Sequence, residues 1–198
     1  FKQKTAYEIP KRDWGSDVCS SDLPILDAEG TYSAAAIEGM LASLAAMPEA
    51  RRVLSWRAKR EICLFGTHEE TGLEVKARCD ALAEDDASRP VIPDLKTTDD
   101  PNFFERSATA LGYHIQDAFY SSLFHGATGV WPAFIFLVVG VNEPHAVRIG
   151  SICEDVRTRA FDRVAELLRL YAIFKGRGEW PAYKMTADGE REIGRAHV

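Results

Sequence analysis

An aspartate and a lysine two residues apart, Asp94 and Lys96, end an apolar run of the chain. In a β-strand, side chains at positions i and i+2 point to the same face. We therefore expect Asp94 and Lys96 to share one face of a strand, with Leu95 packed in the core on the other face. A second acid, Asp80, ends the preceding strand-like segment, and a hairpin would bring its carboxylate beside Asp94.

Two carboxylates and an ammonium at one place predict a metal-dependent hydrolytic centre. Carboxylates about 4 Å apart repel by roughly 1 kcal/mol in water and by more when partly buried, so a proton or a cation must lie between them. Oxygen ligands favour Mg²⁺ or Mn²⁺ over zinc. Such an ion activates water, and Lys96 would position that water or stabilise the developing charge on a phosphoryl oxygen. This is the chemistry of phosphodiester cleavage, although an isolated Asp-x-Lys is also typical of a solvated ion pair.

A predicted helix with two further polar residues follows the lysine. The stretch from Thr97 to Pro101 is rich in capping residues and ends in a proline suited to a first helical turn. Apolar residues then recur at helical spacing from Asn102 to Phe124, and Gln116 and Tyr120 share one stripe. A tyrosine on such a stripe is also typical of a core residue. The ordered set of acid, Asp-x-Lys and Gln-x-x-x-Tyr is more specific than any one member.

This ordered set resembles the PD-(D/E)xK nucleases, specifically the phage and prophage exonuclease VIII type. The resemblance implies an α/β fold with a restriction-endonuclease-like core, in which helices flank a mixed β-sheet. It covers about Glu61 to Tyr183 and rests on four segments: Gly72 to Asp80, Asp94 to Thr98, Tyr113 to Tyr120, and Trp180 to Tyr183.

Carried over to the matching positions, the resemblance implies a role for each site residue. Asp80 and Asp94 would be catalytic acids that bind Mg²⁺ or Mn²⁺, with the carbonyl of Leu95 as a further metal ligand. Lys96 would be the catalytic lysine. The implied enzyme is an exodeoxyribonuclease that digests linear double-stranded DNA from an end in the 5′ to 3′ direction. It would release mononucleotides and leave a 3′ single strand for annealing in phage-type recombination.

The same resemblance implies the molecules with which the chain would interact. Gln116 and Tyr120 match a helical motif that lies beside the active site and the DNA in related nucleases. The implied partners are double-stranded DNA ends, a single-strand annealing protein, and further copies of the chain in a homo-oligomeric ring, with no membrane.

The chain departs from this family in its histidines. Family members usually carry an N-terminal helical segment with a histidine near the metal, and no histidine precedes His68 here. His68 lies in a predicted hairpin turn, and His114 lies on the predicted Gln/Tyr helix without an assigned role. Glu61 is either a second-metal carboxylate or a solvated residue at a strand start.

Both ends of the chain look like translated sequencing-adapter sequence, namely Arg12 to Leu23 and Glu192 to Val198. We expect residues 1–30 to be artefactual or disordered and residues 186–198 to be an artefactual tail. Residues 31–185 would form the nuclease-like domain. This interpretation includes the hypothesis that the natural N-terminal helices are replaced or lost in this sequence.

Composition is consistent with one domain of this class. The 198 residues are 46% apolar, which suffices for a sizeable core. The formal net charge of −6 is unusual for a protein that coats nucleic acid, so DNA binding would use local basic groups. The four cysteines lack paired CxxC spacing, which argues for reduced thiols and a cytoplasmic location rather than for structural zinc or an iron–sulfur cluster. The candidate basic groups are Lys76, Arg78, Arg106, Lys175 and Arg177.

The coarse order of elements is αβββαββα. The run Ala133 to Val141 is about half of what a bilayer span needs and predicts a buried central strand. In the closing helix we expect Phe161, Val164, Leu167, Leu168 and Tyr171 to face the core. The predicted elements are a helix at 33–47, strands at 60–65, 73–82 and 91–96, a helix at 102–124, strands at 133–141 and 146–152, and a helix at 155–174.

Three functional hypotheses follow. The leading one is the metal-dependent exonuclease. The second is a nuclease module of a helicase or recombination complex, which would favour single strands or need a partner. The third is a fragment that binds DNA ends without cleaving them, and metal-independent binding without digestion would favour it.

Overall fold

The computed structural model describes residues 34–178 and Trp180. The predictions for residues 1–30 and 186–198 lie outside the described residues, as do the last three positions of the Trp180 to Tyr183 segment. The elements are α1 (Ala34–Ala46), α2 (Pro48–Ser55), β1 (Ala58–Thr67), β2 (Glu74–Glu84), β3 (Pro90–Thr98), a 3₁₀ turn (Pro101–Phe103), α3 (Phe104–Ala110), α4 (Tyr113–Thr128), β4 (Ala133–Gly140), β5 (Val147–Gly150) and α5 (Glu154–Arg177).

The five strands form one mixed sheet in the order β1-β2-β3-β4-β5. β1, β2 and β3 make an antiparallel meander, β3 and β4 are parallel, and β4 and β5 are antiparallel. Because parallel neighbours need a crossover, α3 and α4 connect β3 to β4 across one face. This arrangement confirms the predicted α/β fold with a restriction-endonuclease-like core.

β4 is buried on both faces and separates two apolar clusters. Phe136 and Val138 pack in the cluster beneath α4, whereas Leu137 and Val139 pack against α1. The alternation follows from the two-residue period of a strand. The predicted buried central strand is therefore correct. Within the described residues, no helix combines the length and apolar content needed to cross a membrane.

Two helical predictions need correction. The expected single helix from Asn102 to Phe124 is interrupted where Gly112 adopts a left-handed conformation with φ of +72°. Glycine reaches this conformation without the steric cost of a Cβ, so one helix ends and α4 begins there. The sequence reading also missed α2, although its first residues, Pro48 and Glu49, are typical of a helix start.

Three apolar side chains that were expected in the core are exposed: Leu95 by 46%, Leu167 by 38% and Tyr171 by 48%. On the face of β3 that carries Leu95, Val91 and Pro93 are buried, whereas Leu95 and Thr97 near the end of the strand are exposed. α5 packs on α4 through Ala160, Phe161, Val164 and Leu168, and that stripe leaves Leu167 and Tyr171 outside.

A close approach between Gly39 of α1 and His145 fixes α1 against the loop between β4 and β5. His145 is 8% exposed, and its Nδ1 lies 3.0 Å from the carbonyl oxygen of Gly140. A Cβ added at Gly39 would lie 2.5 Å from two atoms of the His145 ring. The glycine is therefore required by packing, despite its poor helix propensity.

We predict that Gly39→Ala destabilises the protein by about 1–3 kcal/mol, because the added methyl overpacks the His145 ring. Gly176→Ala in α5 is the matched control, since a Cβ there meets nothing within 4 Å. The control should stabilise by up to about 1 kcal/mol through helix propensity. Urea unfolding of both variants measures the difference, and equal stabilisation by both would contradict the packing.

A buried ion pair joins α4 to α5. Asp117 is 1% exposed, and Arg157 Nε donates hydrogen bonds of 3.3 and 3.2 Å to its two carboxylate oxygens. Ser121 Oγ donates to Asp117 Oδ1 at 2.9 Å and accepts from Arg157 Nη2 at 3.1 Å. Burial raises the pKa of Asp117, and Arg157 opposes that rise. The pair is a specific cross-link between the two helices.

We predict that Arg157→Ala destabilises the protein by about 3–5 kcal/mol, because it leaves the Asp117 carboxylate buried without its cation. Arg163→Ala is the control, since Arg163 and Glu166 form an exposed pair on the same helix. Its loss should cost less than about 1 kcal/mol. Equal losses for the two variants in chemical denaturation would show that the buried pair does not secure α5.

Candidate active site

The centre of the site is the buried carboxylate of Asp94. It is 1% exposed, and Lys96 Nζ lies 2.5 Å from its Oδ2. Gln116 Nε2 donates a hydrogen bond of 2.7 Å to Oδ1. The acid and the lysine thus share one face of β3, as the i and i+2 spacing predicts, and α4 supplies the amide from the helix above that face.

Asp80 lies on β2 beside this pair. Its Oδ2 accepts a hydrogen bond of 3.1 Å from the backbone N–H of Leu95. The ladder between β2 and β3 consists of two register pairs next to the turn, and continuing that register would place Asp80 opposite Asp94. Asp80 is exposed, whereas Asp94 is buried. The two acids and the lysine therefore converge, with one acid open to solvent.

Burial sets the electrostatics of the site. It raises the pKa of Asp94, and Asp80 adds to that rise, whereas Lys96 and Gln116 pull the pKa down. Burial also raises the pKa of Tyr120, with the neighbouring acids contributing. A cation bound among these carboxylates would offset the cost of burying their charge, because it favours their charged forms.

Gln116 and Tyr120 lie on the same stripe of α4 but have different surroundings. Gln116 contacts Asp94 directly. Tyr120 is half-buried in the apolar cluster under α4, where its ring lies 6.4 Å from the ring of Phe134. Gln116 thus contacts the acid and Tyr120 packs in the apolar cluster beside it, and the supporting role of both residues stays a prediction.

Three other candidates lie apart from the acid and lysine pair. His68 is in the turn between β1 and β2, with Nδ1 2.8 Å from the hydroxyl of Thr71. His114 lines a separate cavity of about 340 Å³ between α3, β4, β5 and the start of α5. Glu61 is exposed and forms an ion pair of 3.1 Å with Arg78. The backbone of Glu61 has φ of +52°. The β1–β2 ladder lacks the register pair between Glu61 and Asp80.

Tyr113 is a site residue to which sequence reasoning assigned no role. Its ring lies under the ammonium of Lys96, with 4.7 Å between Nζ and the ring centroid. A second cavity of about 330 Å³ opens beside it, between the end of β3 and α3. The sequence feature that indicates a role for Tyr113 is its position three residues before Gln116, which puts both residues on one helical face.

The donor set fits a small divalent cation. Asp94 Oδ2 is buried and pairs with the Lys96 ammonium, while Oδ1 accepts from Gln116, so a cation at this acid would share Oδ2 with Lys96. No group of three or more His, Cys, Asp or Glu side chains in the described ranges is arranged to hold a metal. Two carboxylates match Mg²⁺, which usually keeps several waters and takes its remaining ligands from substrate phosphates.

This sheet, with an acid on β2 and an Asp-x-Lys on β3, has the arrangement of a PD-(D/E)xK-like domain. The chain belongs to the family described as "PDDEXK-like domain of unknown function (DUF3799)", whose model matches residues 26–192. The predicted class is therefore confirmed. No curated protein matches this chain.

A solved structure shows a similar fold at low sequence identity. A protein from Eubacterium rectale that is provisionally named an exonuclease is similar with a TM-score of 0.59 and 17% identity. The match covers 79% of this chain and 59% of that one, so this chain spans less than two thirds of its length. The protein SSO0001 matches with a TM-score of 0.41 and 19% identity, over 73% of this chain and 70% of that one. The TM-score of the second match is too low to indicate a shared fold.

Cys79, which precedes Asp80, gives a direct test of the site's burial. Its side chain is 0% exposed, and burial together with Asp94 and Asp80 raises the pKa of the thiol to about 12. We predict that iodoacetamide at pH 8 modifies Cys79 about a thousandfold more slowly than an ordinary thiol, because the thiolate is suppressed. Peptide mapping checks this against the exposed Cys63 and Cys153. Labelling of Cys79 as fast as Cys153 in the native protein would contradict the burial.

Proposed function

We propose that this chain is a metal-dependent exodeoxyribonuclease that hydrolyses phosphodiester bonds of linear double-stranded DNA from an end. The observation that carries the proposal is the convergence of Asp80, Asp94 and Lys96, with Gln116 on the buried acid. The order of these residues along the chain, which resembles that of exonuclease VIII, supports end-dependent digestion in phage-type recombination. The name of the Eubacterium rectale protein is consistent with the same activity.

In this proposal Asp80 and Asp94 hold one Mg²⁺ or Mn²⁺ through their carboxylates, with the Leu95 carbonyl as a further ligand. Gln116 donates to Asp94 Oδ1 and Lys96 contacts Oδ2, so the cation would share Oδ2 with the Lys96 ammonium. When bound, the ion lowers the pKa of a water molecule and offsets charge on the scissile phosphoryl group.

Lys96 then acts on the water or on the phosphoryl oxygen. Its ammonium has three donors and lies 2.5 Å from Asp94 Oδ2, so an oxygen atom held at that carboxylate is within its reach. The side chain is 17% exposed. A fixed cation in a partly desolvated site stabilises developing negative charge more strongly than one in bulk water.

The DNA backbone would be bound by local basic groups, because the net charge of −6 opposes general binding. The five candidates are exposed, and Arg78 is ion-paired with Glu61. They are Lys76, Arg78, Arg106, Lys175 and Arg177. We also propose a cytoplasmic location from the cysteine spacing, and from the resemblance alone a single-strand annealing partner and a homo-oligomeric ring.

The test is digestion of end-labelled linear duplex DNA by the full chain with Mg²⁺. We predict that Lys96→Ala lowers the rate on the order of a hundredfold or more, because it removes a donor aimed at the developing charge. Lys59→Ala, which removes an exposed lysine of β1, should leave the rate unchanged. Closed-circular duplex should resist digestion.

The outcomes separate the three hypotheses. Full activity in Lys96→Ala, or equal digestion of circular DNA, would overturn the proposed site or the dependence on ends. Preference for single strands would favour a nuclease module of a larger complex. Metal-independent binding to DNA ends without cleavage by a folded chain would favour the non-catalytic reading. Labels on the 5′ and 3′ ends in separate reactions give the polarity.

A further inference from the structure

The ring of Tyr113 is placed against the lysine of the site. Lys96 Nζ lies 4.7 Å from the ring centroid, within the range of a cation–π interaction. The same Nζ lies 2.5 Å from Asp94 Oδ2. The ammonium is thus held between a carboxylate and an aromatic face, and the Lys96 side chain is largely withdrawn from solvent.

The backbone break before α4 is what places this ring. Gly112, with φ of +72°, separates α3 from α4, so Tyr113 is the first residue of α4. Gln116 follows three residues later, and residues three apart lie on the same helical face. The first turn of α4 therefore contacts both members of the ion pair, with Tyr113 on the cation and Gln116 on the anion.

Two phenylalanines fix the orientation of the Tyr113 ring. The ring stacks on Phe104 of α3 with a centroid distance of 5.8 Å and an interplanar angle of 27°. It also stacks on Phe136 of β4 at 6.0 Å and 27°. Phe136 is 1% exposed and pairs in register with Asp94 across the parallel strands. A ring held by aromatic neighbours on a helix and a strand is a rigid support.

We propose that Tyr113 is a positioning residue that fixes the ammonium of Lys96 at Asp94 through the face of its ring. The hydroxyl is not required for this role, whereas the aromatic face is. This inference rests on the proposed function for its effect on catalysis. The contact itself is independent of whether the chain cleaves DNA.

The structural arm of the test uses NMR of the full chain labelled with ¹³C-lysine. A side chain above an aromatic ring experiences its ring current, so the CεH₂ signal of Lys96 should lie upfield of the other lysines. Lys96→Arg assigns that signal by its disappearance. Tyr113→Phe should keep the upfield position, Tyr113→Leu should lose it, and Tyr171→Leu, on the exposed face of α5, should leave it unchanged.

The kinetic arm uses the duplex digestion assay at saturating DNA. Tyr113→Leu should lower kcat by about tenfold to a hundredfold with little change in KM, because a displaced lysine affects the transition state more than DNA binding. Tyr113→Phe should retain wild-type kcat. If Tyr113 had only a packing role, the changes in kcat among these variants would not be accompanied by changes in the Lys96 CεH₂ signal.

The inference is overturned if the CεH₂ chemical shift of Lys96 in the wild-type chain matches that of the other lysines. This measurement does not depend on the folding of any Tyr113 variant. It is also overturned if Tyr113→Phe loses as much activity as Tyr113→Leu, since the hydroxyl would then be the working group. A wild-type chain that cleaves no DNA refutes the proposed function instead. In that case the chemical shift of Lys96 CεH₂ in the wild-type chain and in Tyr113→Phe still shows whether Lys96 contacts the ring.

Discussion

The buried charge of Asp94 is the constraint on which the rest of the site depends. A carboxylate that is 1% exposed is costly unless a cation and hydrogen-bond donors compensate it. Lys96 supplies the cation from two residues along the same strand, and Gln116 supplies a donor from a helix 22 residues away. α4 must therefore cross this face of the sheet at one position, because a shift of one turn would leave the acid without its amide.

The position of α4 is secured on its opposite side by a second buried carboxylate. Asp117, the residue after Gln116, pairs with Arg157 of α5. Consecutive helical residues diverge by about 100°, so one residue faces the sheet and the next faces α5. The helix is thus held between two ion-pair systems, and Gly112 allows it to begin where these contacts require. Stability and the proposed chemistry are coupled through α4, since loosening α5 would also release Gln116.

Much of the fold was predictable because its signals are local. The apolar run of β4 predicted a buried central strand, and the Asp-x-Lys spacing predicted a shared face for Asp94 and Lys96. Burial of individual side chains was less predictable. Leu95 is exposed although Val91 and Pro93 on the same face of β3 are buried, and the residue spacing of β3 does not record where its cover ends.

The sequence by itself determined which residues of β2, β3 and α4 carry the candidate chemistry, because strand and helix periods fix the directions of side chains from spacing alone. The tertiary structure decided which of them meet. The contacts of Tyr113 with Phe104 and Phe136, and the pairing of Asp117 with Arg157 across 40 residues, depend on how helices pack on a sheet. That packing minimises exposed apolar area and unpaired buried charge over the whole domain, so no local pattern contains it.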